Sequence, residues 1–323
     1  FVPNATSGVN AVVRSLDLRP GDEILASDHA YNACRNALDF VAERAGARIV
    51  TVPVPFPLKA ADQVVDAFLS RVGPHTRLAL VYHITSPTAL VLPIETLAGE
   101  LARRGVDVLV DGAHAPGMVP LEIERMGIAY YTANCHKWIC APKGAAFLYV
   151  RPDLQQRVRP LTISHGANST RRDRSRFQLE FDWTGTHDVT PQLCVGPAIR
   201  FLRDLVPGGW PEIIRHNREL ALEARRHLCE RLGVESPAPE DMIGSMATIP
   251  LPDAARPLTP LFLDPLQEEL WQEHRIEVVV NNWPAPPTRH VRISAALYNA
   301  MEEYRRLGDA LEGLLAREKT QRG

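Results

Sequence analysis

Short β-rich apolar runs recur between segments of helical spacing through the first half of the chain, and that alternation limits it to few architectures. The runs are Glu23-Ile24-Leu25-Ala26, Arg48-Ile49-Val50-Thr51-Val52, Leu78-Ala79-Leu80-Val81-Tyr82, Asp107-Val108-Leu109-Val110-Asp111 and Gly144-Ala145-Ala146-Phe147-Leu148-Tyr149-Val150. Continuous apolar runs suit strands buried on both faces, whereas half-exposed strands alternate. Residues 94–104 place apolar side chains at helical spacing between two of these runs. The rhythm predicts βαβ units, and so an α/β fold with a mostly parallel sheet covered by helices on both faces. Ligands on such sheets sit at the carboxyl ends of strands, where Asp111 falls.

The pattern turns irregular after Arg151 and resumes with an amphipathic stretch over residues 210–232. A strand over 245–251, a proline-rich passage, a helix over 265–274, strands over 276–280 and 291–293 and a final helix over 300–317 follow. This predicts a large domain over residues 1–195 and a connecting helix with a small C-terminal α+β domain over 196–323. With 323 residues, 45% of them hydrophobic and 23% charged, the chain has the material for both.

Composition excludes several classes. A net charge of -2, with acidic and basic residues interspersed, gives no footprint for nucleic acid or an anionic membrane. The run Arg171-Arg172-Asp173-Arg174-Ser175-Arg176 reads as a solvated loop. No apolar stretch has the length of a membrane span. Five cysteines without regular spacing fit a reducing compartment, so a cytoplasmic location is expected. The chain opens on Phe1-Val2-Pro3-Asn4, close to a motif-rich region, and a missing natural N-terminus is the expectation.

Two segments carry the chemistry. Val110-Asp111-Gly112-Ala113-His114 ends a buried strand with a carboxylate, and Asn134-Cys135-His136-Lys137-Trp138 presents a lysine shortly after an apolar passage. Lysine is rarely buried without cause. A carboxylate for a pyridinium nitrogen and a lysine for a Schiff base are the protein groups that pyridoxal 5'-phosphate most needs. His114 reads as a donor to the ring oxygen or as a loop histidine. Asn4-Ala5-Thr6-Ser7-Gly8-Val9-Asn10 opens a helix whose N-terminus either receives a phosphate or is simply capped. Cys135, His136 and Cys140 lack a matching second ligand pair, which argues against zinc, and no metal is expected. Arg292, in Val291-Arg292-Ile293-Ser294, suits a substrate carboxylate through its guanidinium fork, or a surface ion pair.

The order of Asn-Ala-Thr-x-Gly-x-Asn, Val-Asp-Gly-Ala-His, His-Lys-Trp, Gly-Thr and Arg-x-Ser resembles the class V aminotransferase family of fold-type I pyridoxal phosphate enzymes. Asp28-His29-Ala30-Tyr31-Asn32-Ala33, residues 134–144 and Trp283-Pro284-Ala285-Pro286-Pro287 are most similar to its isopenicillin N epimerase-like branch. The resemblance implies Lys137 as the Schiff-base lysine, Asp111 as the partner of the ring nitrogen and His114 as the neighbour of the ring oxygen. It implies a phosphate held by Ala5 and Thr6, with His136 beside it, and a ring-stacking position at His29, with Tyr31 as the alternative. Asn134 stands where many relatives have serine or threonine near the phosphate, and Thr85-Ser86-Pro87 replaces a Ser-Asn pair near the ring, which puts Ser86 in the cofactor set. Thr186 matches a residue that reaches the phosphate of the other subunit, so a homodimer is implied, and Arg292 matches the residue that binds the carboxylate of an amino-acid substrate.

The resemblance implies proton removal at Cα, followed by reprotonation in an epimerase-like enzyme. The alternatives are a C-S lyase of the hercynylcysteine sulfoxide lyase or cysteine lyase type, a class V transaminase, and last a non-catalytic binding protein. Epimerisation needs a second proton donor, for which Tyr31, His29 or a partner-subunit residue such as His187 are the candidates. The last cysteine is Cys229, so the loop before Arg292 lacks the nucleophilic thiol of cysteine desulfurases and persulfide chemistry is not expected.

Overall fold

Six strands form one sheet in the order β2-β1-β3-β4-β5-β6. They are β1 (Glu23–Ser27), β2 (Arg48–Val52), β3 (Thr76–Tyr82), β4 (Asp107–Asp111), β5 (Tyr130–Asn134) and β6 (Ala146–Val150). All neighbouring pairs are parallel except β5 with β6. Interior strands β1 and β5 are buried at every position, whereas edge strand β2 buries only Val52. The computed structural model describes residues 1–259, 261 and 263–321. It separates into a first unit of Phe1–Val54, Asp62–Ile84 and Leu92–Trp210, and a second of Pro55–Ala61, Thr85–Val91 and Pro211–Gly323.

Helices α1 (Ala5–Val13), α2 (Asn32–Ala45), α3 (Asp62–Leu69) and α4 (Ile94–Ala102) belong to the first unit with the sheet. The Asn4 carboxamide oxygen caps α1 by accepting the Ser7 N–H at 2.8 Å. The helix stops at Val13, where the Ser15 and Leu16 amides bond to the Val12 and Val13 carbonyls. Gly8 lets α1 lie directly on β5, since a Cβ there would stand 2.0 Å from the Thr132 hydroxyl oxygen. On α2 the buried residues Cys34, Ala37, Leu38 and Val41 share one face at helical spacing. Gly46 ends that helix in the left-handed region at φ 68°.

The passage after Arg151 contains more order than its sequence suggests: 3-10 turns at Pro152–Arg157 and His165–Asn168, then α5 (Arg176–Asp182), α6 (Thr190–Leu193) and α7 (Val195–Leu205). Helix α5 begins inside the arginine-rich run with a capping box between Ser175 and Gln178.

In the second unit, β7 (Met246–Leu251), β8 (Val279–Asn281) and β9 (Arg289–Ser294) form an antiparallel sheet in the order β7-β9-β8. Helices α8 (Gly209–Leu232, from Pro211 onward), α9 (Pro265–His274) and α10 (Met301–Gln321) accompany it. The strand expected from residue 276 starts at Val279 instead, because Arg275 adopts φ 56° and the Ile276 N–H returns to the Leu270 carbonyl to close α9. Arg289, fully buried, bonds to Asp264, Glu318 and the Pro252 carbonyl. Asp264 also caps α9 at the Leu266 N–H, so one guanidinium joins β9 to the start of α9 and the end of α10.

Candidate active site

Parallel pairing of β4 between β3 and β5 puts Asp111 at the carboxyl end of a buried strand, opposite Tyr82 on one side and Thr132 on the other. One carboxylate oxygen accepts the Ala113 N–H at 3.0 Å and the other accepts the Cys34 S–H at 3.3 Å. Burial pushes the Asp111 carboxyl above the usual carboxylate range, while the Cys34 and Ala113 hydrogen bonds and the Lys137 charge oppose that rise. Among the described residues no arginine pairs with it. A carboxylate so enclosed carries a desolvation cost that a cation at the strand end would offset, and a protonated ring nitrogen is such a cation. Gly112 follows because any Cβ would collide with the Tyr131 ring, 2.3 Å away.

Lys137 lies in the loop after β5, and its Nζ is 3.0 Å from Nε2 of His114, in the loop after β4. The two loops issue from adjacent strands, so the parallel ladder itself brings Asp111, His114 and Lys137 together. His136 turns its Nδ1 to the Ala145 carbonyl at 3.0 Å, and burial lowers its pKa against that bond. Among the described residues no group of three or more His, Cys, Asp or Glu could hold a metal ion.

The α1 N-terminus meets β5 through Asn134, whose side-chain oxygen accepts the Ala5 N–H at 2.8 Å. Ala5 thus donates to Asn134 here, and half-buried Thr6 offers the next amide and a hydroxyl. Asn134 and Ala5 are joined by this hydrogen bond, a contact that the sequence did not announce.

His29 is fully buried, with its Nε2 3.1 Å from the Val54 carbonyl, and burial lowers its pKa. Tyr31 precedes α2 and is 48% exposed. Thr186 and His187 are exposed in the loop between α5 and α6. They line a cavity of about 680 Å³ with Ser7 and Gly144.

In the second unit the Arg292 guanidinium donates to the Ser86 carbonyl and, at 3.1 Å, to the Ser86 hydroxyl. Ser86, expected near the ring, therefore serves as the acceptor for this arginine. Ser86 holds that place because the Thr85 and Thr88 hydroxyls, 2.8 Å apart, and the Leu90 N–H on Thr85 brace the loop. Burial lowers the Arg292 pKa; among the described residues no carboxylate pairs with it and its Nε has no acceptor. A half-buried, half-satisfied guanidinium fits an anionic ligand.

Two buried groups escaped the sequence reading. Cys34, at the start of the buried face of α2, is the donor to Asp111. His83, just past β3, lies 2.8 Å from the Tyr131 hydroxyl, and burial pushes it down to about 4.

The profile described as aminotransferase class-V matches residues 1–307. The chain is 35% identical to isopenicillin N epimerase of Streptomyces clavuligerus, over 96% of this chain and 78% of that protein. It is 32% identical to a probable chloroplastic L-cysteine desulfhydrase of Arabidopsis thaliana, over 91% of this chain and 64% of that protein. In structure it is similar to the cysteine desulfurase CsdA of Escherichia coli, with a TM-score of 0.78 at 21% identity over 98% of this chain and 78% of that one. It is also similar to the cystine C-S lyase C-DES, with a TM-score of 0.74 at 23% identity over 96% and 80% of the two chains. A profile match over nearly the whole length, relatives above 30% identity and this fold establish that the chain belongs to the class V aminotransferases, fold-type I enzymes whose cofactor is pyridoxal 5'-phosphate.

Proposed function

We propose that the chain acts at the Cα of an amino acid as an isopenicillin N epimerase-like enzyme, removing and returning a proton. The observation that carries this reading is the cluster of buried Asp111 with Lys137 Nζ set against His114. Pyridoxal phosphate, when bound, supplies an electron sink that makes a Cα–H bond labile. Asp111 offers that group's ring nitrogen a buried carboxylate, and Thr6 and His136 are assigned to its phosphate. Lys137 is the base that takes the Cα proton, with His114 orienting the amine and accepting from it at 3.0 Å. Arg292, held by Ser86, is assigned the substrate carboxylate.

Return of the proton on the opposite face needs a second acid, and the exposed Tyr31 phenol is the assigned donor. The likeness to the named epimerases at 35% identity favours this outcome. The second reading is a C-S lyase, favoured by relatives named L-cysteine desulfhydrases at 32% identity; Lys137 alone would then serve, and Tyr31 would be dispensable. Incubation with a panel of amino acids in deuterated water separates them. Deuterium at Cα with inversion supports epimerisation, whereas pyruvate and ammonia from cysteine or an S-substituted cysteine support the lyase. No exchange with any amino acid, by a protein carrying its cofactor, sinks both.

Arg292→Lys keeps the charge but loses the planar fork. Its expected effect is a fall in kcat/KM of roughly 10- to 100-fold, mostly through KM, with the cofactor Kd unchanged. A parallel loss of cofactor would remove the carboxylate assignment.

A homodimer completes the proposal. Its support is the exposed apolar set on α6 and α7, Leu193, Phe201 and Leu205, beside the loop that carries Thr186.

A further inference from the structure

Cys34 is a buried thiol that the reaction above does not use. It sits at the start of α2 with no exposed surface, and its Sγ is 3.3 Å from one Asp111 oxygen. Burial and the Asp111 charge push the thiol well up, so the sulfur keeps its proton and the direction of the bond is fixed: S–H donates and the carboxylate accepts. The other Asp111 oxygen accepts the Ala113 N–H. With one donor on each oxygen, the plane of the carboxylate is set rather than free to rotate. Tyr82, opposite Asp111 in the β3–β4 ladder, brings a phenol beside Cys34 that burial keeps neutral. Asp111 thus has two neutral donors, the Cys34 S–H and the Ala113 N–H, and the Lys137 charge acts on it.

We infer that Cys34 is a positioning residue whose S–H fixes the orientation of the Asp111 carboxylate and, through it, the hold on a protonated ring nitrogen. A hydrophobe of similar volume would pack as well on the α2 face, whose neighbours Ala37, Leu38 and Val41 are all apolar. Only a donor satisfies the Asp111 oxygen that faces it. The inference rests on the assignment of Asp111 to the ring nitrogen.

The test uses the full chain and three variants, Cys34→Val, Cys34→Ala and Cys34→Ser. For each, the pyridoxal phosphate Kd, the visible absorbance band of the bound cofactor and the unfolding midpoint of the cofactor-free protein are measured. Cys34→Val and Cys34→Ala are expected to raise the Kd roughly 3- to 10-fold and shift the band, since a thiol is a weak donor to a charged acceptor. Cys34→Ser restores a hydroxyl donor and is expected to return both readouts toward wild type. A packing role predicts the opposite order, with valine best and serine worst, and the unfolding midpoints show which variants are compromised in the fold. Cys34→Val that matches wild type in Kd and band, or Cys34→Ser no better than Cys34→Val, overturns the proposal. If Asp111→Asn leaves the wild-type Kd and band unchanged, the Asp111 assignment itself fails, and this inference with it.

Discussion

Asp111 shows at the scale of one residue how a binding group can burden the fold that carries it. Its folded carboxyl lies above the ordinary range because of burial, so the folded, cofactor-free chain holds that proton more tightly than the unfolded chain does. Stability from this group is therefore full below the unfolded aspartate value and declines as pH rises through the folded one. Asp111→Asn removes the buried charge. The cofactor-free variant is expected to be more stable than wild type by about 1–3 kcal/mol at neutral pH, with the difference vanishing in acid, while its affinity for pyridoxal phosphate falls. Urea unfolding at several pH values checks the first and absorbance titration the second. Equal midpoints across the whole pH range would mean that Asp111 is not under this burden. Asp111 and Lys137 were legible in the sequence because a charge at the end of an apolar run is unusual. Cys34 was not legible, because a small thiol on an apolar helix face looks like any other core residue until the tertiary contact is seen.

At the scale of elements, two contacts decide whether the site is held in place. Gly8 sets the approach of α1 to β5, where its missing side chain makes room for the Thr132 hydroxyl, itself bonded to the Phe147 carbonyl at 2.9 Å. Gly8→Ala gains helix propensity but must lift α1, so a net loss of about 1–3 kcal/mol is expected. The Ala5–Asn134 contact should loosen with it and cofactor affinity should drop; a thermal melt together with a Kd measurement would show both, and an unchanged Kd would detach α1 from the phosphate. In the second unit, Arg289→Met leaves Asp264 and Glu318 buried around an apolar group. A loss of about 3–5 kcal/mol is expected, read from urea unfolding, and a stability within 1 kcal/mol of wild type would show the network to be dispensable. Strands β1, β2 and β4 begin where their apolar runs do, whereas β3 begins at Thr76 and β6 at Ala146 rather than at Leu78 and Gly144, and β5 was not read as a strand; α9 matched its expected bounds, Pro265–His274, because proline and a capping aspartate mark its start. The late start of β8 was hidden, since a left-handed arginine at position 275 leaves no compositional trace. Helix α5 was masked by its arginines, although Ser175 and Gln178 carried the capping signature.

At the scale of the whole molecule, the first unit carries an apolar surface that its own residues do not cover. On α7 only Val195 is buried, while Phe201 is 66% exposed, Leu205 50% and, on adjoining α6, Leu193 71%. Scattered exposed hydrophobes need no explanation, but several large ones on two successive helices are what an association surface would use. A second copy is the occupant we propose, because the resemblance puts Thr186 at the phosphate of the other subunit and the exposed loop that carries it lies between α5 and α6. A two-fold interface also uses each patch twice, so one substitution removes two contacts. Phe201→Glu is expected to shift the protein from dimer to monomer in sedimentation velocity and to weaken pyridoxal phosphate binding through loss of the neighbouring Thr186, with no loss of secondary structure by circular dichroism. Thr186→Ala should then weaken the cofactor while leaving the dimer intact. If wild type sediments as a monomer that binds the cofactor fully, the apolar face belongs to another partner and Thr186 has no part in the site.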